Sequence, residues 1–179
     1  MRYADMDAIF TANAEIRERF LHLLSGVSDH EADIAPDGEK WSIKQVVEHV
    51  AMVDQGVVRI CGKLISEAKE VGKMSNGTIS ISAEFQSAVE TLGKEKLEAP
   101  TQVQPKGETA IPAALQQLKD NENALESMRD DLNTYDLAEP KFPHPYFGGL
   151  TAVEWLILAG GHKMRHARQI EDLLSKIRQ

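Results

Sequence analysis

The sequence predicts an all-α fold, a four-helix bundle formed by a single domain over residues 1–179. Three observations point there. Apolar residues recur at three-and-four spacing over four long stretches, capping residues and glycines bracket those stretches, and no segment alternates convincingly over a strand's length. The nearest approach to a strand, "TISIS" at 78–82, is too short to build a sheet. A chain of 179 residues can bury one sizeable core and falls short of the length that usually divides into two.

The first helix is predicted over 4–25, with Met6, Ile9, Phe10, Ile16, Phe20, Leu23 and Leu24 on its apolar positions and Gly26 as its stop. After the turn-rich "VSDHEADIAPDGEKW", Ser42 and Gln45 make a capping box that opens a second helix over 43–71, closed by Gly72. Residues 73–109 read as a long crossover holding one short helix from Ala83 to Leu92 behind Ser82. The third helix starts at Pro112, a residue welcome in a first turn, and carries Leu115, Leu118, Leu125, Met128 and Leu132 down one stripe. Residues 133–150, with Pro140, Pro143, Pro145, Gly148 and Gly149, cannot continue it. Thr151 and Glu154 form a second capping box and open the fourth helix, which runs to about Ile177.

Composition narrows the function. A formal charge of -8 argues against nucleic acid, whose binding rests on neutralising phosphates with Lys and Arg. No apolar run approaches a membrane span, and acids at Asp5 and Asp7 stand where a secretory signal needs a basic patch, so a cytoplasmic setting is expected. Cys61 is the only cysteine, which excludes an intrachain disulfide and suits a reducing compartment. At helical spacing from Val57, Val58, Leu64 and Ile65 it reads as a small buried hydrophobe rather than a catalytic thiol.

The chemistry concentrates in "GGHKMRHARQI" at 160–170. His162 and His166, four apart, share a helix face with Trp155, Ala159 and Gln169 and point inward. His49, on a stripe with Val46, Met52, Val53 and Gly56, also points inward from the second helix. Three imidazoles from two facing helices can reach one ion and leave a coordination position open. The alternative is a set of hydrogen-bonded core histidines, which would bury three imidazoles with no shared purpose. Gly160 and Gly161 each cost a helix interior about 1 kcal/mol relative to Ala, which suggests close helix approach or room kept beside the ion, with chance or a slight kink as the alternative.

Beside these, Arg165 and Gln169 are candidates for orienting the imidazoles, with a structural ion pair the alternative for Arg165. His144, in "FPHPYFGG", is a candidate pocket contact or an exposed loop histidine. The connections 73–109 and 133–150 are expected to wall the pocket, bringing "HPYFGG" within reach of the ion. His22 and His30 carry no usable pattern.

"WSIKQVVEHV", with Trp41, Ser42 and His49, and the later "FPHPYFGGLTAVEWLILAGGHKMRHARQI" resemble the DinB/YfiT-like family of metal-binding four-helix bundles. The resemblance covers the chain in helix order and length and is loose only over 73–109. It implies an up-down-down-up arrangement with long crossovers, frequent homodimers, and one divalent ion, zinc or nickel, on His49, His162 and His166. Relatives include transferases using low-molecular-weight thiols such as bacillithiol or mycothiol, a thiol-dependent isomerase and metal-dependent hydrolases.

The expected function is therefore a metal-dependent S-transferase acting on a small-molecule thiol and an electrophile. A hydrolase would want a carboxylate base beside a metal-bound water. By helical geometry Glu48 lies about 100° from His49, and Asp54 sits on a neighbouring stripe, although Asp5, Asp7 or a loop acid could serve. A non-catalytic metal- or ligand-binding bundle is the third reading.

Overall fold

The computed structural model describes residues 3–93, 95 and 97–179. Four long helical segments make the bundle: α1 (Met6–Ser25), α3 (Ile43–Val71), α5 (Ile111–Ser127) continued by α6 (Arg129–Thr134), and α7 (Ala152–Ile177). Shorter pieces lie in the connections, α2 (Asp29–Asp33), α4 (Ala83–Leu92), a 3-10 turn at Thr101–Val103, and a hairpin of β1 (Phe142–His144) and β2 (Gly148–Leu150). Among the described residues no helix is long and apolar enough to cross a membrane.

Local chemistry sets the helix ends. Ser42 and Thr151 each accept the backbone N–H three residues on, while Gln45 and Glu154 reach back to the cap's own N–H. These two capping boxes fix where α3 and α7 begin, and therefore the height at which their histidines sit. Gly72 ends α3 in the left-handed conformation at φ 70°, which costs glycine nothing.

Contacts between helices give their directions. Cys61 lies beside Ala152 while His49 lies beside His162, so α3 and α7 are antiparallel. Asn121 donates to the Ala51 carbonyl and Lys69 pairs with Asp131, so α3 runs parallel to α5 and α6. Asn13 bonds the Leu156 carbonyl and Arg19 pairs with Glu171, so α1 runs parallel to α7. The arrangement is up-down-down-up, which requires one long crossover, supplied by 73–109 between the parallel α3 and α5.

The structure differs from the sequence reading in three places: the third helix is broken, the proline-rich stretch holds a hairpin, and the turn-rich stretch after the first helix holds α2 behind a Ser28–Glu31 capping box. The third helix breaks at Met128, whose N–H tightens onto the Leu125 carbonyl before α6 starts, yet Leu132 stays buried and the apolar stripe survives the break. The "TISIS" segment, read as too short for a sheet, forms no strand, and Ile79 and Ile81 pack on the core. The two-stranded hairpin forms in the proline-rich stretch, where Gly148 supplies the positive φ of 74° that the turn needs.

The buried apolar residues form two clusters. One gathers Met6, Ile9, Leu64, Phe85, Leu156 and their neighbours; the other gathers Phe20, Ile43, Val50, Leu118, Ile170 and theirs. Between them a polar layer crosses the bundle, with Asn13, Asp54, Asn121 and His162 contributed by α1, α3, α5 and α7 in turn.

Candidate metal centre

Where α3 meets α7 in that layer, His49, His162 and His166 come together. His49 Nε2 and His166 Nε2 each lie 3.1 Å from His162 Nε2, and one nitrogen from every ring falls within 4.8 Å of the others. His49 and His166 are buried, and His162 is half-buried. The Trp41 ring flanks the cluster, 4.8 Å from the His49 ring and 6.4 Å from that of His166.

The outer nitrogens decide what the inner ones offer. His49 Nδ1 stands 2.6 Å from the Val103 carbonyl, which can only accept, so Nδ1 carries the proton and Nε2 keeps its lone pair. His166 Nδ1 donates to Gln169 Oε1 at 2.8 Å with the same result. His162 Nδ1 is buried with no partner among the described residues. Two lone pairs therefore face a third ring nitrogen at 3.1 Å. A proton on His162 Nε2 would leave a buried, unpaired lone pair at its Nδ1, whereas a cation satisfies all three inner nitrogens together.

All three rings are held neutral. Burial pushes His166 down to about 3, helped by the His49 charge, and pushes His162 well below its ordinary value, helped by His166 and His49. Burial also lowers His49, against the Val103 hydrogen bond, which raises it. The Arg165 charge acts on all three in the lowering direction. Neutral imidazole is the form that ligates metals. Two zinc–nitrogen bonds at a tetrahedral angle separate their nitrogens by about 3.3 Å, close to the spacing found here. The three residues fit a divalent ion and could hold one.

The other residues singled out in the sequence take distinct places. Gln169 orients His166, and Arg165 lies within electrostatic reach of the cluster. His144 belongs to the hairpin: its Nδ1 accepts the N–H groups of Tyr146 and Phe147 at 3.1 and 3.3 Å, and its ring packs on Phe147 and Trp155. Burial lowers it to about 4. Trp155 precedes His162 by two helical turns, roughly 10 Å of axial rise. The crossover meets the cluster at the Val103 carbonyl, and the hairpin meets the crossover where the Tyr146 hydroxyl donates to the Glu98 carbonyl at 2.8 Å. Val103 escaped the sequence reading because a ligand-orienting carbonyl leaves no side-chain signature.

The acids nearest the cluster in sequence are both engaged. Glu48 accepts from Gly107 N–H at 2.7 Å and from Thr109 Oγ1 at 2.8 Å. Asp54 pairs with Lys163 at 2.7 Å.

Comparison with known proteins agrees with this architecture. The family profile of the DinB superfamily matches residues 12–170. The uncharacterized protein YuaE of Bacillus subtilis (strain 168) is 25% identical over 162 residues, covering 86% of this chain and 90% of its own length. The crystal structure of TT2238, a four-helix bundle protein, superposes with a TM-score of 0.61 at 21% identity, over 93% of this chain and 98% of that one.

Proposed function

Because the chain belongs to the DinB superfamily, we propose that it is a divalent-metal protein whose ion is held by His49, His162 and His166, and that it acts as an S-transferase on a small thiol and an electrophile. The observation that carries the reading is the convergence of three neutral imidazoles whose outer nitrogens fix two of the inner lone pairs. Bound there, zinc or nickel would supply Lewis acidity that lowers the pKa of a small thiol or a water.

The chain's own residues favour the thiol. Water attack wants a free carboxylate as base, yet Glu48 and Asp54 are both occupied by other partners. Thiol transfer needs no such base: the sulfur bonds the electrophilic carbon, the leaving group departs with its electron pair, and the thiol proton passes to solvent. Val103 and Gln169 hold their imidazoles in one tautomer, and the Arg165 charge favours an anionic group on the substrate.

The test is metal analysis of protein purified without added metal, followed by cobalt substitution. One equivalent of metal is expected, and His49→Ala, His162→Ala and His166→Ala should each lose most of it while keeping helix content. A triple variant that retains stoichiometric metal sinks the site. Glutathione, bacillithiol or mycothiol should give the cobalt protein an intense near-ultraviolet charge-transfer band. An unchanged spectrum alongside metal-dependent turnover of esters or amides would put the hydrolase in its place.

A further inference from the structure

The segment 101–109 runs as a strap over the first turns of α3 and is fastened there at three consecutive heights. A Cβ built on Gly107, which has a φ of 76°, would stand 3.3 Å from Gln45 Cγ, so the strap backbone lies against the first turn. Glu48, buried to 7% exposure, gives one carboxylate oxygen to Gly107 N–H and the other to Thr109 Oγ1. The next residue, His49, donates from Nδ1 to the carbonyl of Val103, at the other end of the same strap.

A buried carboxylate needs hydrogen-bond donors at its oxygens, and here one short piece of chain supplies a donor to each of the two. That same piece holds the His49 ring. Among the described residues the hydrogen bonds of Glu48 go to Gly107 and Thr109, in the segment whose Val103 carbonyl meets His49.

We propose that Glu48 is a positioning residue for His49. By clamping Gly107 and Thr109 it holds the Val103 carbonyl against Nδ1, fixes the Nδ1–H tautomer and keeps Nε2 aimed at His162 and His166. The metal consequence rests on the reading of these histidines as ligands, whereas the tautomer does not. Outer partners of ligating histidines typically matter about 10- to 100-fold in metal affinity, and Glu48 acts one step further out, through the strap.

The experiment compares wild type with Glu48→Ala, Glu48→Gln and Thr109→Val. Glutamine can still accept from Gly107 N–H and donate to Thr109 Oγ1, so it is the conservative rescue. The readouts are zinc affinity by chelator competition, amide exchange across 101–109, and the His49 tautomer from ring-nitrogen NMR on metal-free protein. Glu48→Ala should weaken zinc binding about tenfold, speed exchange in the strap and move His49 from one tautomer to a mixture, while Glu48→Gln stays near wild type. Thr109→Val should do the same more mildly, and it serves where Glu48→Ala does not fold.

Lower stability with zinc affinity and tautomer unchanged makes Glu48 merely structural and overturns the proposal. If the wild type binds no zinc, the metal reading fails by itself. The tautomer in metal-free protein then decides the role of Glu48 alone, since an unaltered His49 ring in Glu48→Ala rejects it.

Discussion

His166 shows what burying the site costs in acid. Its proton affinity is pushed down to about 3, that of His162 falls well below the ordinary value, and that of His49 is lowered too, burial being the leading cause in each. In the unfolded chain the same rings protonate near 6.5. The folded state thus binds fewer protons than the unfolded one below that pH, and stability falls as pH drops from about 6.5 toward the lowered values, by at most about 1.4 kcal/mol per pH unit for each ring. Metal-free protein melted between pH 8 and pH 5 should lose more stability than a triple variant carrying Gln at 49, 162 and 166. Equal slopes would mean the rings titrate normally and the burial argument is wrong. The sequence reading reached these three residues because inward positions follow from helical spacing alone. It also named Gln169, the outer partner of His166, but it could not reach the outer partner of His49, since Val103 contributes only a backbone carbonyl from a segment with no periodicity.

At the scale of one element, α7 explains its paired glycines differently at each position. A Cβ on Gly160 would stand 2.1 Å from Asn13 Oδ1, and Asn13 is not free to step aside, because its Nδ2 donates to the Leu156 carbonyl. A Cβ on Gly161 meets nothing within 4 Å. Gly160→Ala should therefore destabilise by about 1–3 kcal/mol, whereas Gly161→Ala should stabilise by up to about 1 kcal/mol through its better helix propensity. Urea unfolding checks both, and in an Asn13→Ala background the cost at 160 should shrink. If the two glycines behave alike, close approach of α1 is not what Gly160 serves. Of the readings offered for the pair, close approach thus accounts for Gly160, whereas at Gly161 no described neighbour requires a glycine. The starts of α3 and α7 were legible because caps are local: Ser42 with Gln45 and Thr151 with Glu154 lie where their side chains bond. The break at Met128 and the hairpin at 142–150 were not legible. The first leaves the apolar spacing intact, and the second is set by two backbone partners rather than by side-chain alternation.

Across the whole molecule, the polar layer separates two apolar clusters that would otherwise join into one core. The imidazoles lie within it, where α3 meets α7. The same layer holds Asp54 and Lys163, 2.7 Å apart with side chains 7% and 13% exposed, tying α3 to α7. Among the described residues Asp54 Oδ1 has no hydrogen-bond partner, and Lys163 on the other oxygen is the one counter-charge paired with this carboxylate. Removing the lysine leaves a buried charge uncompensated, an arrangement that costs about 3–5 kcal/mol, while replacing both partners by apolar groups is often neutral. Lys163→Met should accordingly lower unfolding free energy by about 3 kcal/mol, and Asp54→Leu combined with Lys163→Met should recover most of that loss. A double-mutant cycle by urea denaturation measures the coupling directly. A loss below about 1 kcal/mol in the single variant would place the pair in the class of solvated ion pairs, and the layer would then be held by its amides and imidazoles instead. Full recovery in the double variant would carry a further consequence: the bundle could close over an apolar middle, so the polarity of this layer is kept for the histidines it contains and not for the stability of the fold.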